Sequence, residues 1–235
     1  MTIAIMQPYL FPYIGYYQLA QIVDRFVVYD EVNYIKQGWV NRNNILVNGA
    51  PSLFTLPLSN PSSNALIKDL VVDARQYPIW RKKFLKTLSQ VYSKAPQYAT
   101  TVDLVNDVLE PDVVSIAELA TRSITLLVEF FGMDTVVIPT ATHYGNANLN
   151  GQDRILDICK KEGATRYINA QGGRTLYDHP TFASHGIDLA FLKPSLATYE
   201  QGRYSFVPGL SIIDVLMFNS FEQVREMLRS SELTK

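Results

Sequence analysis

The residues of this chain best equipped for chemistry sit close together near its start. Asp30, Glu31, Tyr34, Lys36, Trp39, Asn41, Arg42 and Asn43 fall within fourteen positions. Rings stack on sugars and bases while amides and charges fix hydroxyls and phosphates, so such a group suits a sugar or a nucleotide. Within it Lys36 and Arg42 would neutralise phosphate, and Asp30 would orient an amine or act as a base. A carboxylate can take that role near neutral pH only if it stays ionised beside its substrate, which a neighbouring cation favours. The plainer alternative is a solvated loop in which Asp30 caps the next turn.

Two further segments carry polar groups at useful places. Asn169-Ala170-Gln171-Gly172-Gly173-Arg174 follows a predicted strand, where glycines let backbone amides face an anion and Arg174 can reach it; a tight turn that needs positive φ explains the same glycines. His143 lies in a loop with Asn146 and Asn148 after another predicted strand. The three histidines, His143, His179 and His185, lack the spacing of a zinc motif, so no metal ligand set is expected, although a magnesium ion bridging substrate phosphates remains compatible. Cys159 falls on the apolar side of a helix and reads as a small core residue.

For these side chains to converge, strands must carry them to a common edge. Residues 3–6 and 26–29 are continuous apolar runs of the kind buried on both faces of a parallel sheet. Pro8 and Pro12 delay the intervening helix to residues 14–23. Whatever follows 26–29 then lies at a strand's carboxyl end, where open α/β sheets bind ligands. Asn48-Gly49 between the runs 45–47 and 53–57 is a hairpin signal, and the breaker cluster 59–64 is expected as a surface loop or lid. Helices are expected at 79–92, at 102–109 ending before Pro111, and at 112–131 closed by Gly132. Strand 136–138, helix 150–161, strand 167–169 and strand 189–192 then give a βαβ rhythm. Two last helices occupy 212–217 and 221–228, the first capped by Ser211 with Asp214 completing a capping box. The expected fold is α/β: one domain, 1–235, with a mostly parallel central sheet flanked by helices and a helical insertion at about 76–132.

Composition narrows the function classes. With 21 basic and 22 acidic residues among 235 there is no electrostatic footprint for nucleic acid. A single cysteine precludes an internal disulfide framework. No apolar stretch approaches the ~20 residues of a membrane span, and no basic segment leads the first apolar run, so the expected location is cytoplasmic, without membrane insertion. Oligomeric state is not legible here.

Met6-Gln7-Pro8-Tyr9, Pro12-Tyr13-Ile14-Gly15-Tyr16, Asp30, Tyr34-Ile35-Lys36, Trp39 and Asn41-Arg42-Asn43 resemble the opening of the WbqC-like family. Further matches lie at 163–169, at Gly172-Gly173 and at 210–216, so the resemblance spans nearly the whole chain. It implies a role in bacterial O-antigen or surface-polysaccharide biosynthesis. Some members are named glycine transferases, which implies attaching an aminoacyl group to an amino sugar; no catalytic residue comes with the resemblance. Separately, Tyr13-Ile14-Gly15-Tyr16 is similar to the His-Ile-Gly-His signature of nucleotidyl-transferring α/β enzymes, with tyrosines replacing both histidines, and Gly15 serves equally for tight packing.

The combined expectation is an aminoacyl, specifically glycyl, transferase or ligase acting on a nucleotide-linked amino sugar, with ATP supplying an adenylate. Its small-molecule partners would be a nucleotide sugar and an amino acid. The catalytic candidates are Asp30, Lys36 and His143. The substrate-binding candidates are Gln7, Tyr9, Tyr13, Gly15, Tyr16, Tyr34, Trp39, Asn41, Arg42, Asn43, Asn169, Gly172, Gly173 and Arg174. A non-catalytic protein that binds a nucleotide sugar or carbohydrate is the alternative from another class.

Overall fold

In the structure, a computed structural model that describes residues 1–110, 112 and 114–235, the apolar runs become the centre of one sheet. Strands β1 (Thr2–Met6), β2 (Arg25–Val28), β3 (Arg42–Val47), β4 (Ala50–Thr55), β5 (Val136–Ile138), β6 (Arg166–Ala170), β7 (Asp188–Pro194) and β8 (Ser231–Thr234) alternate with helices. Six of them form the main sheet in the order β5-β2-β1-β6-β7-β8, and β3 and β4 form a separate hairpin. All pairs in the main sheet are parallel except β7 with β8. From β1 the chain builds outward to β2 and β5, then returns to place β6 on the other side of β1. The strand order therefore reverses between β1 and β6, and the carboxyl ends of these strands form one edge.

Both faces of the sheet are buried, which is why its strands lack an apolar/polar alternation. Ala4, Phe26, Ile168, Ala190 and Leu192 point into the larger core. There they meet helices α1 (Ile14–Gln21), α4 (Ile116–Phe130), α7 (Ile212–Phe218) and α8 (Phe221–Arg229). Ile3, Ile5, Val27, Tyr167, Leu189 and Phe191 point the other way, toward α5 (Gly151–Lys161) and α6 (His179–Ser184). Cys159 belongs to this second core, where burial pushes its thiol up to about 12. Between β4 and β5 the chain runs through α2 (Tyr77–Tyr92), α3 (Tyr98–Val108) and α4 without contributing a strand to the main sheet.

Asn48 (φ 51°) and Gly49 (φ 80°) turn β3 into β4 as the dipeptide suggested. Helix α4 starts at Ile116 rather than at 112, because Ser115 caps it by accepting from the Glu118 amide; Pro111, the expected stop of the preceding helix, lies outside the described residues. The capping box expected at Ser211 and Asp214 does not form. Ser211 accepts from the Ile213 amide, but the Asp214 carboxylate turns inward, and the reciprocal box occurs at Ser220 and Gln223 instead. Gly172 and Gly173 belong to a 3-10 turn, Gln171–Leu176, and neither needs positive φ. Helix α6 and the antiparallel strand β8 had not been anticipated. No helix is long and apolar enough to cross a membrane among the described residues.

Candidate functional site: a cavity at the ends of β2 and β5

Asp30 lies two residues beyond the end of β2, 4 % exposed. The turn after β5 supplies its donors: Thr140 Oγ1 at 3.0 Å and the Ala141 amide at 2.8 Å, both to Oδ1. The Asp30 carbonyl accepts from the Lys68 amide, at 2.9 Å. One carboxylate oxygen is thus fixed by two donors. The other accepts no hydrogen bond among the described residues, and Asp30 lines a cavity of about 620 Å³. That volume is within the range of small-molecule sites.

Helix α4 forms the opposite wall. Ser115, Glu118, Thr121, Arg122 and Thr125 line the cavity with Lys68, Pro139 and Thr140. The hydroxyl of Thr121 is buried without a partner among the described residues. Lys68 sits 3.6 Å from Glu31 and 3.8 Å from Asp69, and Arg122 pairs with Glu110. These pairs are partly exposed, so each is worth little and can yield to a ligand. The wall therefore presents two movable cations, two carboxylates and several hydroxyls. Its lining contains neither histidine nor cysteine.

A second layer of contacts fixes the Asp30 loop from behind. Arg154 of α5, 4 % exposed, donates to the Glu31 carbonyl at 2.7 Å and to the Glu31 carboxylate at 2.5 Å. Its guanidinium lies over the Tyr29 ring, 5.1 Å from the centroid, and its Nε donates to Asn146 at 3.0 Å. Asn146 in turn donates to Asp157 at 2.6 Å. One buried cation thereby grips the residues on both sides of Asp30. Removing one member of such a buried pair would strand the other's charge.

The other residues singled out in the sequence are spread more widely. Lys36 and Trp39 are exposed on the turn after Tyr34, and Arg42 folds back onto the carbonyls of Gln37 and Gly38. Tyr34 donates to Asn41, which donates to the Leu56 carbonyl, so this pair ties the loop to the hairpin. Asn43 donates to the Phe11 carbonyl at 2.7 Å. That carbonyl also receives Ser211 Oγ at 2.8 Å, while the Phe11 amide donates to Ser123. Phe11 has φ 46°, a conformation that costs a bulky residue about 1–2 kcal/mol, and these three bonds hold it there. Tyr16, buried, donates to the Gln7 carbonyl and packs on Tyr9. A Cβ on Gly15 would run into the Tyr13 ring, so that ring occupies the space the glycine leaves open.

At the end of β6, Asn169 donates to Tyr167 Oη and accepts from the Ala170 amide. Gly173 lets the Asn169 amide come within about 3.1 Å of where a side chain would start, whereas nothing crowds Gly172. Arg174 reaches the carbonyl of Lys235 and covers the Phe191 ring. His143 is exposed edge-on to Tyr144, one turn beyond the Thr140 and Ala141 donors. Of the three catalytic candidates only Asp30 lines the cavity. Lys68, Glu118, Thr121, Arg122, Thr125 and Thr140 had not been singled out. The α4 residues did leave a trace, a polar stripe at three- and four-residue steps through an otherwise apolar helix; Lys68 left none.

Comparison with known proteins adds a lineage to this geometry. The profile of the WbqC-like protein family matches residues 7–226. The chain belongs to that family. It is 26 % identical over 231 residues to the uncharacterized protein Rv1507c of Mycobacterium tuberculosis (strain ATCC 25618 / H37Rv), covering 97 % of each chain. No solved structure matches it significantly. The matched span of this WbqC-like chain includes both walls of the cavity, Asp30 and Lys68 on one side and the α4 stripe on the other.

Proposed function

We propose that this WbqC-like protein is an aminoacyl transferase, glycyl in the first instance, acting on a nucleotide-linked amino sugar, with Asp30 as the base that receives the amine's proton. The observation that carries this reading is the asymmetry of Asp30: one oxygen held by Thr140 and Ala141, the other unengaged in a residue lining a ligand-sized cavity. Fixing one oxygen sets the plane of the carboxylate and leaves a basic lone pair for an incoming ammonium or amine. Lys68 and Arg122 would take the phosphates that Lys36 and Arg42 were expected to hold, exchanging weak surface partners for stronger charge-assisted bonds. The hydroxyls along α4 suit a sugar.

The acyl donor must be activated, and ATP is the reagent this reading names. The carboxylate of the amino acid would displace pyrophosphate to give an aminoacyl adenylate. The sugar amine would then attack the acyl carbon, forming the C–N bond as the C–O bond to AMP breaks, and its proton would pass to Asp30. Incubation with glycine, ATP and a panel of UDP- and dTDP-amino sugars tests this by AMP release and a glycyl mass gain. Loss of both with Asp30→Asn is expected. The exchangeable cations and hydroxyls of the same lining serve a second reading equally, a binding protein for the same nucleotide sugar. Thermal stabilisation by the panel without turnover would support that reading and defeat the first.

A further inference from the structure

Away from the Asp30 cavity, the β3–β4 hairpin has one free edge. In the β3–β4 register Asn44 faces Leu53, and the Asn44 carbonyl turns away from β4 to accept from the Ser211 amide. The Leu46 amide likewise turns outward to Tyr92 Oη. In antiparallel pairing this parity points the backbone of Pro51, Leu53 and Thr55 out of the opposite side. The amides of Leu53 and Thr55 donate no hydrogen bond among the described residues. A groove of about 350 Å³ runs along that edge, with Leu53, Phe54 and Thr55 on one wall and Trp80, Lys83 and Phe84 of α2 on the other.

The groove has the parts of a strand-binding site. Trp80 and Phe84 stack at 5.1 Å and Phe84 packs on Phe54 at 4.7 Å, giving an apolar floor for alternate side chains. Lys83, which lines the groove, is exposed and makes no ion pair among the described residues. Proteins blunt an edge strand with charge or proline on the strand itself. Here β4, Ala-Pro-Ser-Leu-Phe-Thr, has no charge and is blunted only at Pro51, leaving Leu53 and Thr55 open, and Lys83 stands across the groove on α2. Two copies joined edge to edge would bring their Lys83 side chains together, so charge favours an acidic partner over a second copy.

We propose that this edge takes an extended segment of a partner protein, adding it as a third strand to the hairpin, with apolar residues alternating onto Trp80 and Phe84 and an acidic residue meeting Lys83. Random dodecapeptides displayed on bacteria and sorted against the full-length protein provide the test. Acid-flanked, alternating sequences should be enriched, and adding them should shift the Leu53 and Thr55 amide resonances. Leu53→Pro removes an outward-facing donor and repeats the backbone already tolerated at Pro51 in the same register, so the hairpin should survive, as circular dichroism would confirm. Losing that one strand bond should weaken binding by about tenfold. Lys83→Glu, at an exposed position, should weaken it by about threefold to fivefold and reduce its salt dependence.

No enrichment, or binders indifferent to Leu53→Pro, would overturn the proposal. A dimer in sedimentation that Leu53→Pro abolishes would assign the edge to a second copy instead. Binding of single-stranded DNA that Lys83→Glu abolishes and Leu53→Pro leaves intact would assign the groove to a polyanion.

Discussion

Asp30 and Asp214 are both carboxylates withdrawn from water and supplied with donors, yet their surroundings assign them opposite tasks. Asp214 is wholly buried, with Oδ2 accepting from Tyr92 Oη and Oδ1 from Tyr199 Oη and Gln201 Nε2, each at 2.7 Å. Tyr92 in turn accepts from the Leu46 amide at 2.9 Å. The acid thus ties α2, the hairpin, α7 and the segment around Gln201 into one knot with neither oxygen free. Asp30 has both its donors on one oxygen, and its residue faces a cavity. For a buried acid, the arrangement of its donors is more informative than their number. Both oxygens engaged describe a lock, and one left open beside a void describes a site.

The sharpest way to break this comparison is to neutralise each acid in turn. Asn at position 30 can keep the bonds from Thr140 and Ala141 through its carbonyl while losing the basic lone pair. Turnover should fall by about 10²–10⁴, as for loss of a general base, with a shift in unfolding midpoint no larger than that of an ordinary surface change. A collapse of folding with Asp30→Asn would make it a second lock. Asp214→Ala should do the reverse: three donors lose their acceptor at once, costing about 3 kcal/mol or more by chemical denaturation. Activity per folded molecule should be retained.

A smaller effect is expected behind the Asp30 loop. Arg154→Lys retains a cation but cannot serve the Glu31 carbonyl, the Glu31 carboxylate and Asn146 in one planar fork. The expected loss is about 1–2 kcal/mol of stability. Because Arg154 positions Asp30 without touching the cavity, kcat should drop while KM for the nucleotide sugar stays within about twofold. An unchanged kcat would show that the clamp only holds the fold.

The sheet was legible because its signals are local. Continuous apolar runs at 3–6 and 26–29 can only be strands buried on both faces, and Asn48-Gly49 fits few other turns. Asp30 was legible too, through its place after a strand. Its companions were not, because Lys68 meets it only after the hairpin and the loop beyond it, and Arg122 and Thr140 only after the chain has run through α2 and α3 as well, and no pattern within a short window records that meeting. The density of polar residues at 30–43 has a different cause: Asn41, Arg42 and Asn43 are engaged in holding backbone carbonyls, Asn43 that of the left-handed Phe11. Asp214, three residues past an N-cap, fitted a capping box by spacing, but the Ser211 amide it would have accepted from already donates to the Asn44 carbonyl, and the buried donors of Tyr92, Tyr199 and Gln201 take the carboxylate instead.

The finest test of the comparison is the pH dependence of the lock. Burial raises the carboxyl of Asp214 above its ordinary 3.8, and the bonds from Tyr92, Tyr199 and Gln201 recover only part of the shift. The folded protein therefore holds this proton more tightly than the unfolded chain does. The sign is opposite to that of a salt-bridged aspartate: the contribution to stability is full below about 3.8, where both states are protonated, and is lost as pH rises through the higher folded value. Asp214→Asn has no proton to lose. The stability of wild type minus that of Asp214→Asn should therefore decrease as pH is raised from 4 toward neutrality, then level off. Urea unfolding of both proteins across that range measures it. A difference that grew with pH would mean that the three donors outweigh burial, making Asp214 an acid held ionised by its partners.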